Sequence, residues 1–473
     1  MPYQTEPERR RRRRSSLSAQ PPAQDGVLGP AGARVRTGLA AASALDTARV
    51  LAMVGVPALA QGAVLRRPAA VAAVAALDGD RRAVRLLQRL RERYDTDALA
   101  LRTPGRDVVM LLSAQAADRV LDGTPVPYSP ATVEKRAALS HFQPTGVLIS
   151  DGPLRARRRA LNEAVLDTDL PVHRLAAVIT TVAQQEMTPL LSRPGRIEWR
   201  DFAAAYWRLV RRIVLGDDAR DDVALIALLD ALRRDANWAY LRPRRHVLFH
   251  RFRLRLATHL DLAEPGSLAW LLAQQDVAPD VDPYGQVPHW LFAFDAAGAT
   301  AFRTLALLST HAPQRRQVRE ELAAWDPAGP PMLPYLSACV LETVRLWPTT
   351  LAVLRESTAV TVWDQTSLPR GTSFVIFSAL LNRDGEHLPD ADRFQPDRWL
   401  DGEAATGTTL IPFSAGPAAC PGRNLVLQTV TAALAALLRG HDLRLHARTK
   451  IAADLPLPYT LGHTGLGFTV TPA

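Results

Sequence analysis

The chain has 473 residues and a mass of 51.6 kDa, with 47% hydrophobic and 22% charged residues and a formal net charge of +10. This composition excludes a largely disordered or fibrous protein, and the length suffices for one large domain or for two to three smaller ones. The two cysteines, Cys339 and Cys420, are too few for a disulfide framework or for the paired cysteines of a zinc site.

The N-terminal region differs in composition from the rest. Residues 1–35 are rich in Arg, Pro, Ser and Gly, which predicts a disordered basic tail followed by a single domain over residues 36–473. Six arginines at 9–14 against Glu6 and Glu8 give residues 1–14 a charge of +4 (6 − 2). We interpret this run as solvated charge and expect no nucleic-acid partner.

Apolar residues recur at three- and four-residue spacing along much of the chain, which predicts helices. In chain order these helices cover residues 82–94, 154–166, 172–191, 222–236, 270–275, 290–310, 315–325, 335–347 and 424–438. Shorter alternating stretches predict strands at 359–363, 374–377 and 466–471, with a turn at 369–371 between the first two. The predicted fold class is mainly α with small β-sheets.

No stretch of 18 uninterrupted apolar residues is present, and the nearest, at 51–65, is broken by Pro57 and Gln61. We therefore expect no transmembrane segment. The low cysteine content fits a reducing compartment, so the expected location is the cytoplasm.

One cysteine lies in a distinctive sequence, Phe413-Ser-Ala-Gly-Pro-Ala-Ala-Cys420-Pro-Gly-Arg423, directly before a predicted helix. Free N–H groups and the helix dipole at a helix start favour a thiolate. The nearest histidine, His441, lies beyond the far end of that helix, so neither a catalytic base nor a zinc site is at hand. A lone thiolate suits a haem iron, whereas the structural alternative is a small buried cysteine.

This sequence resembles the haem-thiolate loop of the cytochrome P450 family, F-x-x-G-x-[R/H]-x-C-x-G, through Phe413, Gly416, Cys420 and Gly422. The resemblance implies a single domain with the cytochrome P450 fold. It also implies haem b as cofactor, with Cys420 as the ligand of its iron. Position 418 departs from the pattern, because Ala418 stands where the family usually has an Arg or His that binds a haem propionate.

Two upstream motifs extend the resemblance to the soluble, bacterial-type members of the family. Glu342-Thr-Val-Arg345 is similar to the family's E-x-x-R, and Phe394-Gln-Pro-Asp-Arg398-Trp399 is similar to F-x-P-x-R-[F/W]. Residues at i and i+3 share a helix face, so Glu342 and Arg345 can pair with each other and with Arg398. These three residues are expected to support the cysteine loop.

The resemblance also suggests which residues bind the haem propionates. The family has His and Arg four apart on a helix, and here Arg155 and Arg159 occupy that spacing. Guanidinium groups bind carboxylates, so the pair keeps the function, with a solvated basic helix face as the alternative. Arg355 lies where similar proteins place a further propionate ligand.

The predicted helix 290–310 would pass over the haem, where the family carries A-G-x-[D/E]-T to deliver protons. Two alignments are open. One places alanines at both the acid and alcohol positions, and the other keeps Gly298 and Thr300 but leaves Ala299 at the acid position. Asp295 and Thr300 are the candidate catalytic residues. The alternative for Asp295 is a buried structural carboxylate.

The implied activity is monooxygenation of a small, mostly apolar, secondary-metabolite-like substrate, with electrons from a separate ferredoxin and ferredoxin reductase. The protein is expected to be a monomer. The segments that similar proteins present to the substrate contribute these candidate pocket residues, any of which can instead be plain core: Phe142, Val147, Leu148, Phe294, Gly298, Leu351 and Val353.

Two rival interpretations stay open. The missing acid–alcohol pair is compatible with a haem-thiolate enzyme that does not use the usual O₂ activation, such as a peroxygenase, an isomerase or a coupling enzyme. A haem-binding sensor without catalysis is the second alternative.

Overall fold

The structure is a computed structural model, and it describes residues 38–327, 329–330, 332–401 and 410–472. From Gly38 onward the chain forms one compact unit. The predicted N-terminal tail of residues 1–35 lies outside the described residues.

Helices make up most of the described chain. Ser113, Thr132 and Ser267 cap three of them by accepting a backbone N–H bond at the helix start. The helices are α1 (Ala44–Val50), α2 (Val56–Gln61), α3 (Pro68–Ala76), α4 (Gly79–Tyr94), α5 (Ala114–Asp122), α6 (Val133–Leu139), α7 (Gly152–Val165), α8 (Ala176–Met187), α9 (Trp199–Leu215), α10 (Val223–Ala236), α11 (His246–Leu262), α12 (Leu268–Ala273), α13 (Val287–Thr310), α14 (Ala312–Ala324), α15 (Pro334–Leu346), α16 (Ser378–Asn382) and α17 (Arg423–Leu438).

Three small sheets accompany the helices. The strands are β1 (Ala98–Leu101), β2 (Val108–Leu111), β3 (Tyr128–Ser129), β4 (Ile197–Glu198), β5 (Ala352–Ser357), β6 (Thr361–Trp363), β7 (Thr366–Leu368), β8 (Ser373–Phe377), β9 (His441–Ala447) and β10 (Leu466–Pro472). The largest sheet has the order β1-β2-β8-β5-β3, the second has the order β4-β10-β9, and β6 pairs with β7. Within the largest sheet β2 and β8 run parallel and the other pairs are antiparallel.

The predicted fold class is confirmed, because the chain is mainly α with small β-sheets. Every predicted helix is present with its ends shifted by a few residues, and the predicted strands correspond to β6, β8 and β10. The turn predicted at 369–371 is also present, with a φ of +90° at Gly371 that favours glycine.

Helix α13 crosses the main core and is mostly buried. By length and composition the stretch Pro283–Thr310 could cross a membrane, but 67% of its apolar window is buried inside the fold. We therefore interpret it as a core helix. The absence of a membrane anchor elsewhere in the chain stays a prediction.

Helices α13, α15 and α17 pack against one another in this core, and α17 also packs on α8. A buried hydrogen bond of 2.9 Å between the hydroxyls of Thr304 and Thr343 joins α13 to α15. The loop that carries Cys420 leads directly into α17. This packing fixes the start of α17, and with it the end of the loop, relative to α13.

Candidate functional site

The loop before α17 holds Cys420 in a backbone conformation that its glycines permit. Gly416 has a φ of +66°, and a Cβ at this position would overlap the carbonyl of Leu121 at the end of α5. The N–H of Cys420 donates to the carbonyl of Phe413 over 2.9 Å, which closes the loop. Gly422 is the N-cap of α17, one residue before the helix begins. The thiol therefore lies at a helix start, as the sequence predicts.

The surroundings of Cys420 combine burial with positive charge. Burial raises the pKa of its thiol above the ordinary value, while the N–H of Gly422 and the charges of Arg159 and Arg423 act in the opposite direction. Nη1 of Arg159 donates to the carbonyl of Ala419 over 2.7 Å, so this arginine lies against the cysteine loop. A bound metal cation would tip this balance toward the thiolate.

A fully buried ion pair supports the region behind the loop. Arg345 donates from Nε and Nη2 to both carboxylate oxygens of Glu342, at 2.8 and 2.7 Å, and both side chains are 0% exposed. Nε of Arg398 lies 3.4 Å from Oε1 of Glu342, and the indole N–H of Trp399 donates to the same carboxylate. The three residues of the two upstream motifs thus meet, as the sequence predicts.

Arg345 also joins this ion pair to the chain between α16 and the cysteine loop. Its Nη1 donates to the carbonyls of Asn382 and Ala391, each over 2.8 Å, and Nη2 donates to that of Arg393 over 2.9 Å. Asn382 in turn accepts the N–H of Ile411. All the charges in this brace, defined as Glu342, Arg345 and Arg398 with their partners, are compensated within the protein.

A second group of charges has no such compensation. Lys135, Arg155 and Arg355, called the cation cluster below, come from α6, α7 and β5, and within the described residues none of them forms an ion pair with a carboxylate. Arg155 is buried, and its Nε lacks a hydrogen-bond partner. Arg355 donates to the hydroxyl of Thr124 and to the carbonyl of Leu354.

The three cations lie close enough to affect one another. Burial lowers the pKa of Lys135 to about 7, and the charges of Arg355 and Arg155 add to this shift. Burial and the charge of Arg155 likewise lower the pKa of Arg355 to about 10. Nζ of Lys135 donates only to the carbonyl of Leu354, over 3.2 Å, among the described residues. Desolvated positive charges that lie close together are stabilised by a bound anion.

One face of α13 carries three residues that are less buried than most of the helix. His289, Ala296 and Arg303 follow one another at seven-residue intervals, which is about two helical turns, and each keeps part of its surface accessible within a mostly buried helix. We call these three residues the α13 stripe. Burial and the charge of Lys135 lower the pKa of His289 to about 4. A side chain that is partly accessible yet strongly desolvated, as His289 is, lies in a recess rather than on the open surface.

The two candidate catalytic residues are engaged in other contacts. Oδ2 of Asp295 pairs with Nη2 of Arg233 over 2.7 Å, and the Arg233 side chain is 2% exposed. The hydroxyl of Thr300 is buried and donates to the carbonyl of Ala296 over 3.0 Å. The proton-relay roles stay predictions, but the contacts of Asp295 match the structural alternative.

The candidate pocket residues divide into two groups. The ring of Phe142 lies 5.8 Å from that of Phe292 at an interplanar angle of 60°, and the Phe292 ring lies 5.8 Å from His289 on the α13 stripe. Gly298 instead faces α9, since a Cβ on Gly298 would lie 2.8 Å from the Tyr206 ring, and Phe294 is buried in the main core. The contacts of both residues match the core alternative, and their role in substrate binding stays a prediction.

The remaining candidates lie in the segments around the cation cluster. The N–H of Val147 donates to the side chain of Gln286, and Leu148 is half-buried against the main core. Leu351 and Val353 flank the start of β5, four and two residues before Arg355 respectively. A role in substrate binding stays a prediction for all four.

Comparison with known proteins matches this arrangement to one family. Residues 300–462 match the family model described as Cytochrome P450, and this stretch contains the brace and Cys420. By this match and by its fold, the chain is similar to the cytochrome P450 family. Three solved cytochrome P450 structures share its fold at 18–20% identity. The zebra fish structure with abiraterone has a TM-score of 0.63 and covers 82% of this chain and 98% of its own.

Curated cytochrome P450 relatives match over shorter stretches. Probable cytochrome P450 4s3 of Drosophila melanogaster is 28% identical over 36% of this chain and 34% of its own length. Beta-amyrin 11-oxidase of Glycyrrhiza uralensis is 35% identical over 23% of this chain and 22% of its own. A mitochondrial 1,25-dihydroxyvitamin D(3) 24-hydroxylase of Mus musculus is 31% identical over 24% and 22%. The chain thus spans about a third or less of the length of these relatives.

The family implies a haem cofactor, and the residues present fit one. Cys420 offers a sulfur ligand at a helix start, and the unpartnered Nε of Arg155 together with the uncompensated charges of Lys135 and Arg355 suits the two haem carboxylates. Arg159, predicted for the same role, contacts the cysteine loop and Glu163 instead. Any contribution of Arg159 to propionate binding stays a prediction.

Lys135 and His289 are not among the site residues that the sequence predicts. Lys135 carries a signal that could have found it, because it is one of only two lysines in a chain whose basic side chains are otherwise arginines. His289 lies one residue before the start of the predicted helix 290–310, so its place on the stripe could not be read from that prediction.

Proposed function

We propose that this protein is a haem-thiolate monooxygenase that inserts one oxygen atom from O₂ into a small, mostly apolar substrate. The observation that carries the proposal is that Cys420 lies at the start of α17 and that Arg355 of the cation cluster reaches the same loop, where its Nη2 lies 3.4 Å from the hydroxyl of Ser414. Haem b, when bound, supplies the reductive activation of O₂. Cys420 would hold its iron, and Lys135, Arg155 and Arg355 would hold its carboxylates.

The chain itself contributes position, charge and exclusion of water. The brace fixes the loop of Cys420, so the sulfur is held before any ligand binds. The mostly buried helix α13 is suited to keep water away from a bound substrate. Phe292 keeps part of its ring accessible beside His289, and this aromatic surface suits an apolar substrate.

The electron donors in this proposal are a separate ferredoxin and its reductase. Arg423 is exposed only three residues after Cys420, and its positive charge suits an acidic partner near the sulfur ligand. We also propose a monomeric, cytoplasmic enzyme of secondary metabolism.

A second candidate function is favoured by the α13 stripe. Its central position is Ala296, and the nearby carboxylate of Asp295 is paired with Arg233, so no described acid on this stripe can deliver protons. An enzyme that uses peroxide, or one that isomerises or couples substrates, needs no such relay from O₂.

Isotope labelling separates the two functions. The haem-loaded enzyme is incubated with a library of small apolar compounds, either with NADPH, a surrogate ferredoxin and reductase under ¹⁸O₂, or with ¹⁸O-labelled hydrogen peroxide. The monooxygenase proposal predicts products that carry ¹⁸O from O₂. Label from peroxide alone, or products without added oxygen, would favour the second candidate.

A further inference from the structure

Two arginines at the far end of the α13 stripe form a second basic group, separate from the cation cluster. Arg303 lies 14 residues after His289, about 21 Å along the helix, and it lies near Arg66 from the segment between α2 and α3. Neither arginine forms an ion pair with a carboxylate among the described residues. Neither arginine is among the site residues that the sequence predicts.

Backbone carbonyls hold both guanidinium groups in place. Nη2 of Arg66 donates to the carbonyl of Thr349 over 2.6 Å, and Nε and Nη2 of Arg303 donate to that of Leu461 over 3.0 and 2.7 Å. The indole of Trp347 donates to the carbonyl of Pro458 over 2.9 Å, which ties these two segments together. The arginines are thus pre-positioned, and Nη1 of Arg303 has no acceptor within the described part of the chain.

The charge of this pair is desolvated. Burial lowers the pKa of Arg303 to about 9, with a further contribution from the charge of Arg66, whose own pKa burial lowers to about 10. His463 stays neutral, since burial and the two arginines lower its pKa to about 3. The nearest acid acting on Arg66 is Asp80, which is itself buried with a raised pKa and accepts the hydroxyl of Thr460.

Two neighbouring desolvated cations that form no ion pair are costly, and an anionic ligand removes that cost. Guanidinium groups bind carboxylates with paired hydrogen bonds, and the aromatic side chains of Trp199 and Phe302 lie beside this region. We propose that Arg66 and Arg303 bind a carboxylate of the substrate, so that the substrate is a mainly apolar molecule with one acidic group. This inference rests on the proposed haem-thiolate function.

The test uses probes that attach to haem iron whatever the natural substrate is. ω-(Imidazol-1-yl)alkanoic acids of eight, ten and twelve carbons are titrated into the haem-loaded enzyme, and so are their methyl esters. The imidazole gives a spectral shift on binding the iron, and the chain length varies the reach of the carboxylate. We expect the best acid to bind roughly tenfold or more tightly than its ester.

Four variants test whether Arg66 and Arg303 cause the preference for the acid over its ester. Arg303→Gln and Arg66→Gln are expected to bring the acid-to-ester ratio close to one, and Arg303→Lys to retain part of it, because the charge remains. Arg89→Gln, an exposed arginine of α4, is the control and should keep the native ratio. A purely structural role for the arginines would leave the ratio unchanged in every variant that binds haem.

Each outcome decides one of the two proposals. If the acids have no advantage over the esters at any chain length, or if both Gln variants keep that advantage, the carboxylate site is overturned. The carbon monoxide spectrum of each reduced protein is recorded in parallel. Loss of the thiolate signature in the native protein would instead overturn the haem-thiolate function.

Discussion

The brace and the cation cluster are both buried groups of charges, yet they differ in how those charges are compensated. In the brace, Glu342 accepts from Arg345, Trp399 and the N–H of Gln395, so its carboxylate is fully engaged by the protein. In the cation cluster, Lys135 and two arginines face one another with no paired carboxylate in the described chain.

This difference indicates that the brace supports the fold and that the cation cluster binds a ligand. A compensated buried pair adds order to the fold and has no capacity left for a ligand. An uncompensated group destabilises the fold alone and gains from an anion. The two groups therefore predict opposite behaviour when haem is removed. The brace continues to stabilise the fold, whereas the cation cluster destabilises it.

The largest expected effect is on the brace. Glu342→Gln leaves Arg345 buried with half of its pairing lost, and we expect the free energy of unfolding to fall by about 3–5 kcal/mol. Urea denaturation of the haem-loaded protein measures it. The matched control is Glu320→Gln on the exposed face of α14, with a change of about 0.5 kcal/mol or less. Equal effects of the two variants would remove the distinction between brace and surface.

The next effect concerns retention of haem by the cation cluster. Arg355→Gln removes a buried charge that faces the proposed propionate position, and we expect haem release to become roughly tenfold faster or more. Transfer of haem to apomyoglobin measures the rate. Arg370→Gln, an exposed arginine in the turn before β8, is the control. If both variants release haem at the native rate, the cluster does not bind the propionates.

A smaller effect is expected at Asp295. Asp295→Asn leaves Arg233 buried without its closer carboxylate, and we expect a loss of about 1–3 kcal/mol in unfolding free energy. Thr300→Val, which removes only a hydrogen bond within α13, should cost about 1 kcal/mol or less. Unchanged stability of Asp295→Asn, combined with lost turnover, would favour the proton-relay role.

The smallest effect is a pH dependence in the haem-free protein. The folded pKa of Lys135, about 7, lies below the unfolded value of about 10.4, so the unfolded chain binds more protons between these values. Stability conferred at this site is therefore present at high pH and is lost as pH falls from about 10 to about 7.

Melting temperatures at pH 7 and pH 9 test this sign. The native haem-free protein should gain stability relative to Lys135→Gln as the pH rises. In the haem-loaded protein the propionates favour the charged lysine, so the difference should shrink. A pH dependence that is identical in native and variant proteins would show that Lys135 is not desolvated.

The sequence predicts the brace and the cysteine loop well because their residues lie in short motifs with fixed spacing. Glu342 and Arg345 share a helix face, and Cys420 lies directly before a helix whose periodicity is clear. Contacts between distant segments are not encoded in this way. Lys135 meets Arg355 across 220 positions of the chain (355 − 135), and only the fold shows that their charges interact.

The same reasoning explains the missed elements. Helix α9 carries Arg211 on its buried side, where the guanidinium donates to the carbonyls of Ala219 and Arg220, and this charge interrupts the apolar pattern. Strands of two to four residues, such as β3 and β4, are too short to show alternation. These elements form because of tertiary packing, which local sequence patterns do not reveal.

The central claim is that Cys420 is the sulfur ligand of a haem iron, and the absorption spectrum of the reduced protein under carbon monoxide tests it most directly. We predict the red-shifted Soret band of a thiolate-ligated haem in the native protein and in Cys339→Ser, a variant of the buried core cysteine. Cys420→Ser should lose this band. A native protein without the red shift, or a Cys420→Ser variant that keeps it, would contradict the account.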